Sequence, residues 1–246
     1  MATFAVILPA AGKSSRFHDQ HYKKPFITLA DRAVWLHSAE KFLNREDVKQ
    51  VIIVISPEDR EDFQMKFGAN IAILGIEVVE GGAERSDSVR NALERVRPDV
   101  DFVAVHDAAR PCIANEWIDS VFAAAAETGA AILAIPVAGT LKRVAADNAI
   151  AETIPRDQLW EAQTPQVFRR DVLVAAYANE TAEPATDDAE LVQRLGTPVK
   201  VVAGSPINLK ITTREDLRLA AHALKALPKP KLSGPAHPFA DDDLWR

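Results

Sequence analysis

Unbroken apolar, β-branched runs alternate along the chain with stretches whose apolar positions recur every three or four residues. FAVILPA (4–10), VIIVIS (51–56), IEVVE (76–80), FVAVHD (102–107) and AAILAIPV (130–137) read as strands buried on both faces. Between them, AVWLHSAEKFL (33–43), SPEDREDFQMKF (56–67), SDSVRNALERV (86–96) and NEWIDSVFAAAAETG (115–129) read as helices. Ser56 is the expected N-cap of the second helix, with Pro57 at its first position and acids in its first turn. Gly129 is the expected stop of the fourth. Repeated strand–helix–strand order predicts an α/β fold, a mainly parallel sheet flanked by helices.

The rhythm breaks at 138–165. A turn signal at Asp147-Asn148, with alternating apolar residues on either side, predicts a projecting β-arm there. Helices are expected again at 169–180, 187–195 and 214–226, and late strands at 199–204 and 207–212. The proline-rich, polar stretch 228–246 is read as a flexible tail, which leaves 1–227 as one domain.

Composition narrows the classes. The net charge of -6 over 246 residues argues against general nucleic-acid binding, although a local basic pocket is compatible with it. A single cysteine, Cys112, excludes an intrachain disulfide framework and fits a reducing cytoplasm. The N-terminus carries no secretory pattern, and no apolar run approaches the roughly 20 residues of a bilayer span.

Ligands of open α/β sheets bind beyond the carboxyl ends of the strands. That rule selects residues 9–16, 81–88 and 106–111. In LPAAGKSSRF (8–17), Gly12 permits close backbone approach, successive N–H groups can cradle an anion, and Arg16 brings a donor fork suited to phosphate. Lys23 and Lys24 follow, as converging cations for a polyphosphate. The stretch lacks the G-x-x-x-x-G-K-[ST] pattern of a P-loop, and Ser14 breaks a G-x-G-x-x-G. GGAERSDSV (81–89) has two readings: backbone laid against a base with Ser88 as donor, or a plain loop with Ser86 as helix N-cap. VHDAARP (105–111) also has two: Asp107 as a Mg²⁺ ligand bridging phosphate oxygens, or as a helix cap paired with Arg110. His106 is read as packed rather than catalytic.

Together with TLKR, LWEAQTPQVF, TDDAELVQ and NLKITTREDL, these motifs resemble, in order and over nearly the whole chain to about residue 226, the 2-C-methyl-D-erythritol 4-phosphate cytidylyltransferases. The resemblance implies a Rossmann-like nucleotidyltransferase fold and a homodimer formed through the β-arm. It implies transfer of CMP from CTP to 2-C-methyl-D-erythritol 4-phosphate, with release of pyrophosphate, in the cytoplasmic non-mevalonate route to isoprenoids. It casts Arg16 and Lys23 as the transition-state stabilisers. Ala10, Ala11, Gly12 and Ser14 become the phosphate cradle, and Gly82, Ala83, Ser88 and Arg110 further nucleotide contacts. Asp107 becomes the Mg²⁺ ligand, and Thr140, Arg156, Thr186 and Lys210 the acceptor pocket, with Thr140 and Arg156 reaching the partner's site from the arm. Three departures stand out: serine at 14 for the family's usual glycine, HYKKPF where its lysine commonly precedes Pro, and Gly139 where an acid is common. The last keeps ribitol 5-phosphate open as an alternative acceptor. A nucleotide-sugar pyrophosphorylase shares the fold but usually opens on a different glycine-rich loop. A dinucleotide-dependent dehydrogenase would use Glu58 or Asp59 for ribose, where they more simply serve a helix N-terminus, and a non-enzymatic protein leaves the three strand-end motifs unexplained.

Overall fold

The structure, a computed structural model, describes residues 1–12, 24–179 and 185–228. In chain order its elements are β1 (Phe4–Pro9), β2 (Thr28–Leu29), β3 (Arg32–Ala33), α1 (Val34–Leu43), β4 (Val48–Ile55), α2 (Arg60–Leu74), β5 (Glu77–Glu80), α3 (Arg85–Leu93), β6 (Phe102–Val105) and α4 (Asn115–Thr128). There follow β7 (Ala130–Pro136), β8 (Leu141–Val144), β9 (Ile150–Ile154), β10 (Trp160–Arg169), α5 (Arg170–Ala178), α6 (Asp188–Arg194), β11 (Lys200–Ala203) and α7 (Arg214–Ala223).

Seven strands form one sheet in the order β11-β7-β10-β6-β1-β4-β5. β1 pairs in parallel with β4 and β6, β4 with β5, and β11 with β7, while β10 runs antiparallel between β6 and β7. Side chains alternate across a pleated strand, so the fully apolar β1 feeds two cores. Phe4, Val6 and Leu8 pack with Phe42, Ile118 and Phe122 of α1 and α4. Ala5 and Ile7 pack with Val89, Leu93 and Leu173 of α3 and α5. Burial on both faces fixes this register: a slip by one residue would exchange the two sets.

The five apolar runs form strands as expected, but β5 lies at the sheet edge and is only half-buried rather than covered on both faces, and Gly129 ends α4 in the left-handed conformation with φ 87°. Four expectations are corrected. First, the arm is shorter than 138–165: β8 and β9 pair around a turn in which Asn148 has φ 64° and Asp147 Oδ1 accepts from Ala149 N–H. From Trp160 the chain is already β10, a central strand, and the next helix starts only at Arg170. Polar Gln163, Thr164 and Gln166 and the proline between them mask that strand, yet all three polar residues are buried. Second, 207–212 is no strand. Asn208 N–H closes a turn on Ser205 O at 3.0 Å, its side-chain Nδ2 donates to Thr164 O at 2.9 Å, and Ile207, Leu209 and Ile211 pack with residues of α7 instead of a neighbouring strand. Third, the Ser56 side chain makes no capping bond; Pro57–Asp59 is a 3-10 turn, and α2 runs on to Leu74. Fourth, α3 starts one residue early, with Glu84 rather than Ser86 as N-cap and its N–H given to Asp87 Oδ2 at 3.1 Å. All of the expected tail but its first residue lies outside the described residues.

Candidate active site

The ends of β1, β5 and β6 open onto one edge of the sheet, and the chain ties their loops together. Ala10 N–H donates to Val54 O at 2.7 Å and Gly81 N–H to Ile55 O at 2.7 Å, which extends the strand pattern one residue past β1 and β5. His106 N–H bonds Ile7 O at 2.9 Å beyond β6. The first two loops touch directly: a Cβ on Gly81 would stand 2.7 Å from the Ala11 Cβ and 2.6 Å from Ser88 Oγ. Glycine is required there for close approach rather than for an unusual φ. Beyond it Gly82 and Ala83 are exposed, and Gly12 has open space around it. The Ser88 hydroxyl is engaged within its own loop, donating to Glu84 O at 3.1 Å and accepting from Gly82 N–H at 3.2 Å. It shapes the Gly82–Ala83 backbone.

Asp107 is the centre of charge. No helix follows it until Asn115, so the capping role is excluded; the pairing with Arg110 is present, with Nε to Oδ2 at 3.5 Å. Lys210 Nζ lies 2.8 Å from the same oxygen, and Arg85 Nε lies 3.8 Å from Oδ1. Asp107 is only 7% exposed. Burial alone would raise its carboxyl, but Lys210, Arg85 and Arg110 outweigh that and hold it well below the usual carboxylate range. Arg85 also pairs with the buried Asp188 carboxylate, so three cations face two carboxylates and one positive charge is left over at the strand mouth.

A hydrogen-bonded chain fixes this carboxylate from behind. Asp107 N–H donates to Thr164 Oγ1 at 3.0 Å, and that hydroxyl lies 3.1 Å from His106 Nδ1. His106 Nε2–H donates to Arg110 O at 3.1 Å. A carbonyl only accepts, so the proton sits on Nε2 and the Thr164 hydroxyl donates to Nδ1. Burial pushes the His106 ring down to about 4, in accord with a packed, neutral imidazole. Arg110 Nη1 donates to Asn208 O at 2.8 Å, which carries the Lys210 segment to the site.

Thr186 lies just before α6, with its N–H and hydroxyl both given to Glu190 at 2.7 and 2.9 Å. Thr140 and Arg156 flank the arm hairpin and are exposed; Arg156 donates to Ala138 O. Among the described residues, no ion pair or hydrogen bond joins either of them to the Asp107 cluster. Ser14, Arg16 and Lys23 lie outside the described residues. Sequence reasoning missed Arg85, Thr164 and Asn208 as builders of this site. All three stand inside motifs already singled out, GGAERSDSV, LWEAQTPQVF and NLKITTREDL, and that position was the available signal.

The model of one protein family, 2-C-methyl-D-erythritol 4-phosphate cytidylyltransferase, matches residues 4–226. The chain belongs to this family. A family member from Rhodopirellula baltica is 45% identical over 230 residues, covering 89% of this chain and 93% of its own. Another, from Pelotomaculum thermopropionicum, is 41% identical and covers 92% and 96%. The crystal structure of the cytidylyltransferase from Thermus thermophilus matches with a TM-score of 0.74 at 31% identity, over 92% of this chain and 100% of that one. A crystal structure of a 4-diphosphocytidyl-2C-methyl-D-erythritol synthase matches with a TM-score of 0.76 at 30% identity, over 91% and 99%. The expected family and fold class are therefore both borne out. The cytidylyltransferase sheet of this chain carries its charge cluster where the parallel strands β1 and β6 end.

Proposed function

We propose that this cytidylyltransferase transfers CMP from CTP to 2-C-methyl-D-erythritol 4-phosphate, giving 4-diphosphocytidyl-2-C-methyl-D-erythritol and pyrophosphate. The observation that carries this reading is the set of three cations on Asp107 at a strand mouth lined by glycine-rich loops. Two phosphorylated anions must approach each other, and fixed positive charge offsets their repulsion. The acceptor phosphate is already ionised and attacks the α-phosphorus of CTP; pyrophosphate leaves opposite to it. No general base is needed. His106, neutral and enclosed, holds the loop and takes no proton.

In this reading the backbone of Ala10, Ala11 and Gly12, with Ser14, cradles the triphosphate, and Arg16 and Lys23 stabilise its developing charge. Gly82 and Ala83 receive the cytosine, on a loop that Ser88 shapes. Lys210, Thr186, Thr140 and Arg156 hold the acceptor in line, which supplies orientation. Among the described residues no group of three or more His, Cys, Asp or Glu side chains could hold a metal ion. Asp107, whose Oδ1 has Arg85 Nε no nearer than 3.8 Å, would supply one carboxylate oxygen to a Mg²⁺ carried mainly by the nucleotide. Bound in this way, Mg²⁺ would neutralise phosphate charge.

Thr140 and Arg156 flank an arm that leaves Val144 and Ile150 exposed, and Trp160, where the chain re-enters the sheet as β10, is exposed as well. Apolar side chains grouped on a projecting hairpin fit a homodimer in which each arm completes the partner's acceptor pocket. No described helix is long and apolar enough to cross a membrane. A cytoplasmic enzyme agrees with the single, buried Cys112, whose thiol burial pushes up to about 12.

The test is pyrophosphate release from CTP, UTP, ATP and GTP, each with methylerythritol phosphate and with ribitol 5-phosphate. Release is expected with CTP and methylerythritol phosphate. A higher rate with ribitol 5-phosphate reassigns the acceptor, and no release from any pair defeats the reading.

A further inference from the structure

Arg85 faces two carboxylates. Its Nη2 donates to Asp188 Oδ2 at 2.7 Å, while its nearest approach to Asp107 is the 3.8 Å from Nε to Oδ1, beyond hydrogen-bond length. Asp188 is fully buried, and its other oxygen accepts from the Tyr177 hydroxyl. The start of α6 cannot shift easily beneath it. Asp187 accepts from Glu190 N–H at 2.9 Å and from Gln166 Nε2 at 2.8 Å, and Gln166 Oε1 accepts from Ala189 N–H at 3.0 Å. The Asp187-Asp188 pair is in this fold an anchor between β10, α5 and α3.

We propose that Arg85 is a positioning residue for Asp107: the Asp188–Tyr177 anchor holds its guanidinium close enough to steady the Asp107 carboxylate and too far to occupy Oδ1. A guanidinium free to move would close onto Asp107 in a two-bond fork, the geometry that arginine and carboxylate favour. The anchor prevents that collapse and keeps an Asp107 oxygen available to a nucleotide-borne cation. The inference rests on Asp107 serving the nucleotide phosphates, as set out above. Asp188 touches neither substrate in this scheme and acts only through Arg85.

The experiment measures the Kd for CTP in Mg²⁺ by calorimetry, with KM and kcat, in Asp188→Asn and Arg85→Lys, each alone and combined with Asp107→Asn. Asp188→Asn removes the negative charge that holds Arg85 and loosens the guanidinium. Both Kd and KM for CTP should rise about tenfold, the size typical of coupling between contacting groups. In the Asp107→Asn background the same change should cost under about twofold. Should Asp188→Asn fail to fold, Tyr177→Phe removes only the hydroxyl that steadies Asp188 and should shift Kd in the same direction. Independent, multiplying effects of position 188 or 85 and position 107 overturn the inference alone, as does a lower melting temperature with Kd and KM unchanged. Wild-type CTP binding and turnover in Asp107→Asn overturn the functional reading and this inference with it.

Discussion

Asp107 and Arg156 are both polar groups of the proposed site, yet the fold treats them in opposite ways. Asp107 is 7% exposed, with its backbone bonded to Thr164 and its carboxylate among three cations. Arg156 is exposed, at the foot of a hairpin whose strands β8 and β9 are exposed almost throughout. The cluster is complete within one chain because a buried charge needs partners at once. The arm is held mainly by its own strand pairing, and its exposed Val144 and Ile150, like Trp160 at the exposed start of β10, gain little from this chain. In the proposed reading, a single chain preorganises the phosphate side of the site together with Lys210, and leaves Thr140 and Arg156 to assembly.

The largest effect is expected where the cluster loses its anion. Asp107→Asn should lower turnover by about 10²-fold or more, the scale on which preorganised electrostatic groups act. Pyrophosphate release measures it. The molecular mass in solution should stay unchanged, since position 107 is far from the apolar face of the arm in role as well as in exposure. Turnover within about threefold of wild type would dissolve the distinction between the two regions.

Changes on the arm and at its root should do the reverse. Trp160→Asp with Ile150→Asp should weaken the dimer by about 10²-fold or more, because each apolar side chain contributes roughly 1.5–3 kcal/mol on burial and a two-fold interface counts it twice. Sedimentation then shows monomer at concentrations where wild type is dimeric. Mixing two inactive variants sharpens the point. Asp107→Asn and Arg156→Ala subunits, combined and allowed to exchange, should recover about a quarter of wild-type activity: half the dimers are mixed, and each mixed dimer holds one intact site. No recovery on mixing would mean that Arg156 serves its own chain.

These two regions also differ in how far the amino-acid pattern reveals them. Apolar runs such as FAVILPA and FVAVHD mark buried strands because a strand covered on both faces has few polar positions to spare. The turn of the arm was legible from Asp147-Asn148, since a residue near φ 64° and a side-chain acceptor are local requirements. β10 was not legible. Its buried polar residues are satisfied only by distant partners: Thr164 by His106 and Asp107, Gln166 by Asp187 and Ala189. Lys210 and Asp107 stand 103 positions apart and Arg85 and Asp188 likewise, so spacing alone could not pair them. Resemblance named Lys210 and Asp107 for the site, but it did not show Arg85 bridging the two carboxylates.

The smallest effect separates the cluster's scaffold from its charges. His106 is fully buried, flanked by Asp107, Arg110, Thr164 and the Phe42 ring. Its ring is pushed down from 6.5 to about 4, chiefly by burial. The unfolded chain takes up a proton near 6.5 while the native ring stays neutral, so acid favours unfolding. The stability this ring contributes is present above pH 6.5 and is lost as pH falls from there toward 4. Between pH 7.5 and 5 the loss from this one group is about 2 kcal/mol. Urea midpoints at the two pH values read the total, and the ring nitrogen shifts of His106 by NMR isolate its share, remaining those of a neutral, Nε2-protonated imidazole at pH 5.5. A ring that titrates near 6.5 in the folded protein would show that the Arg110 O–His106–Thr164–Asp107 chain opens in solution. The cluster would then be preorganised by its ion pairs alone, and its contrast with the arm would be one of degree.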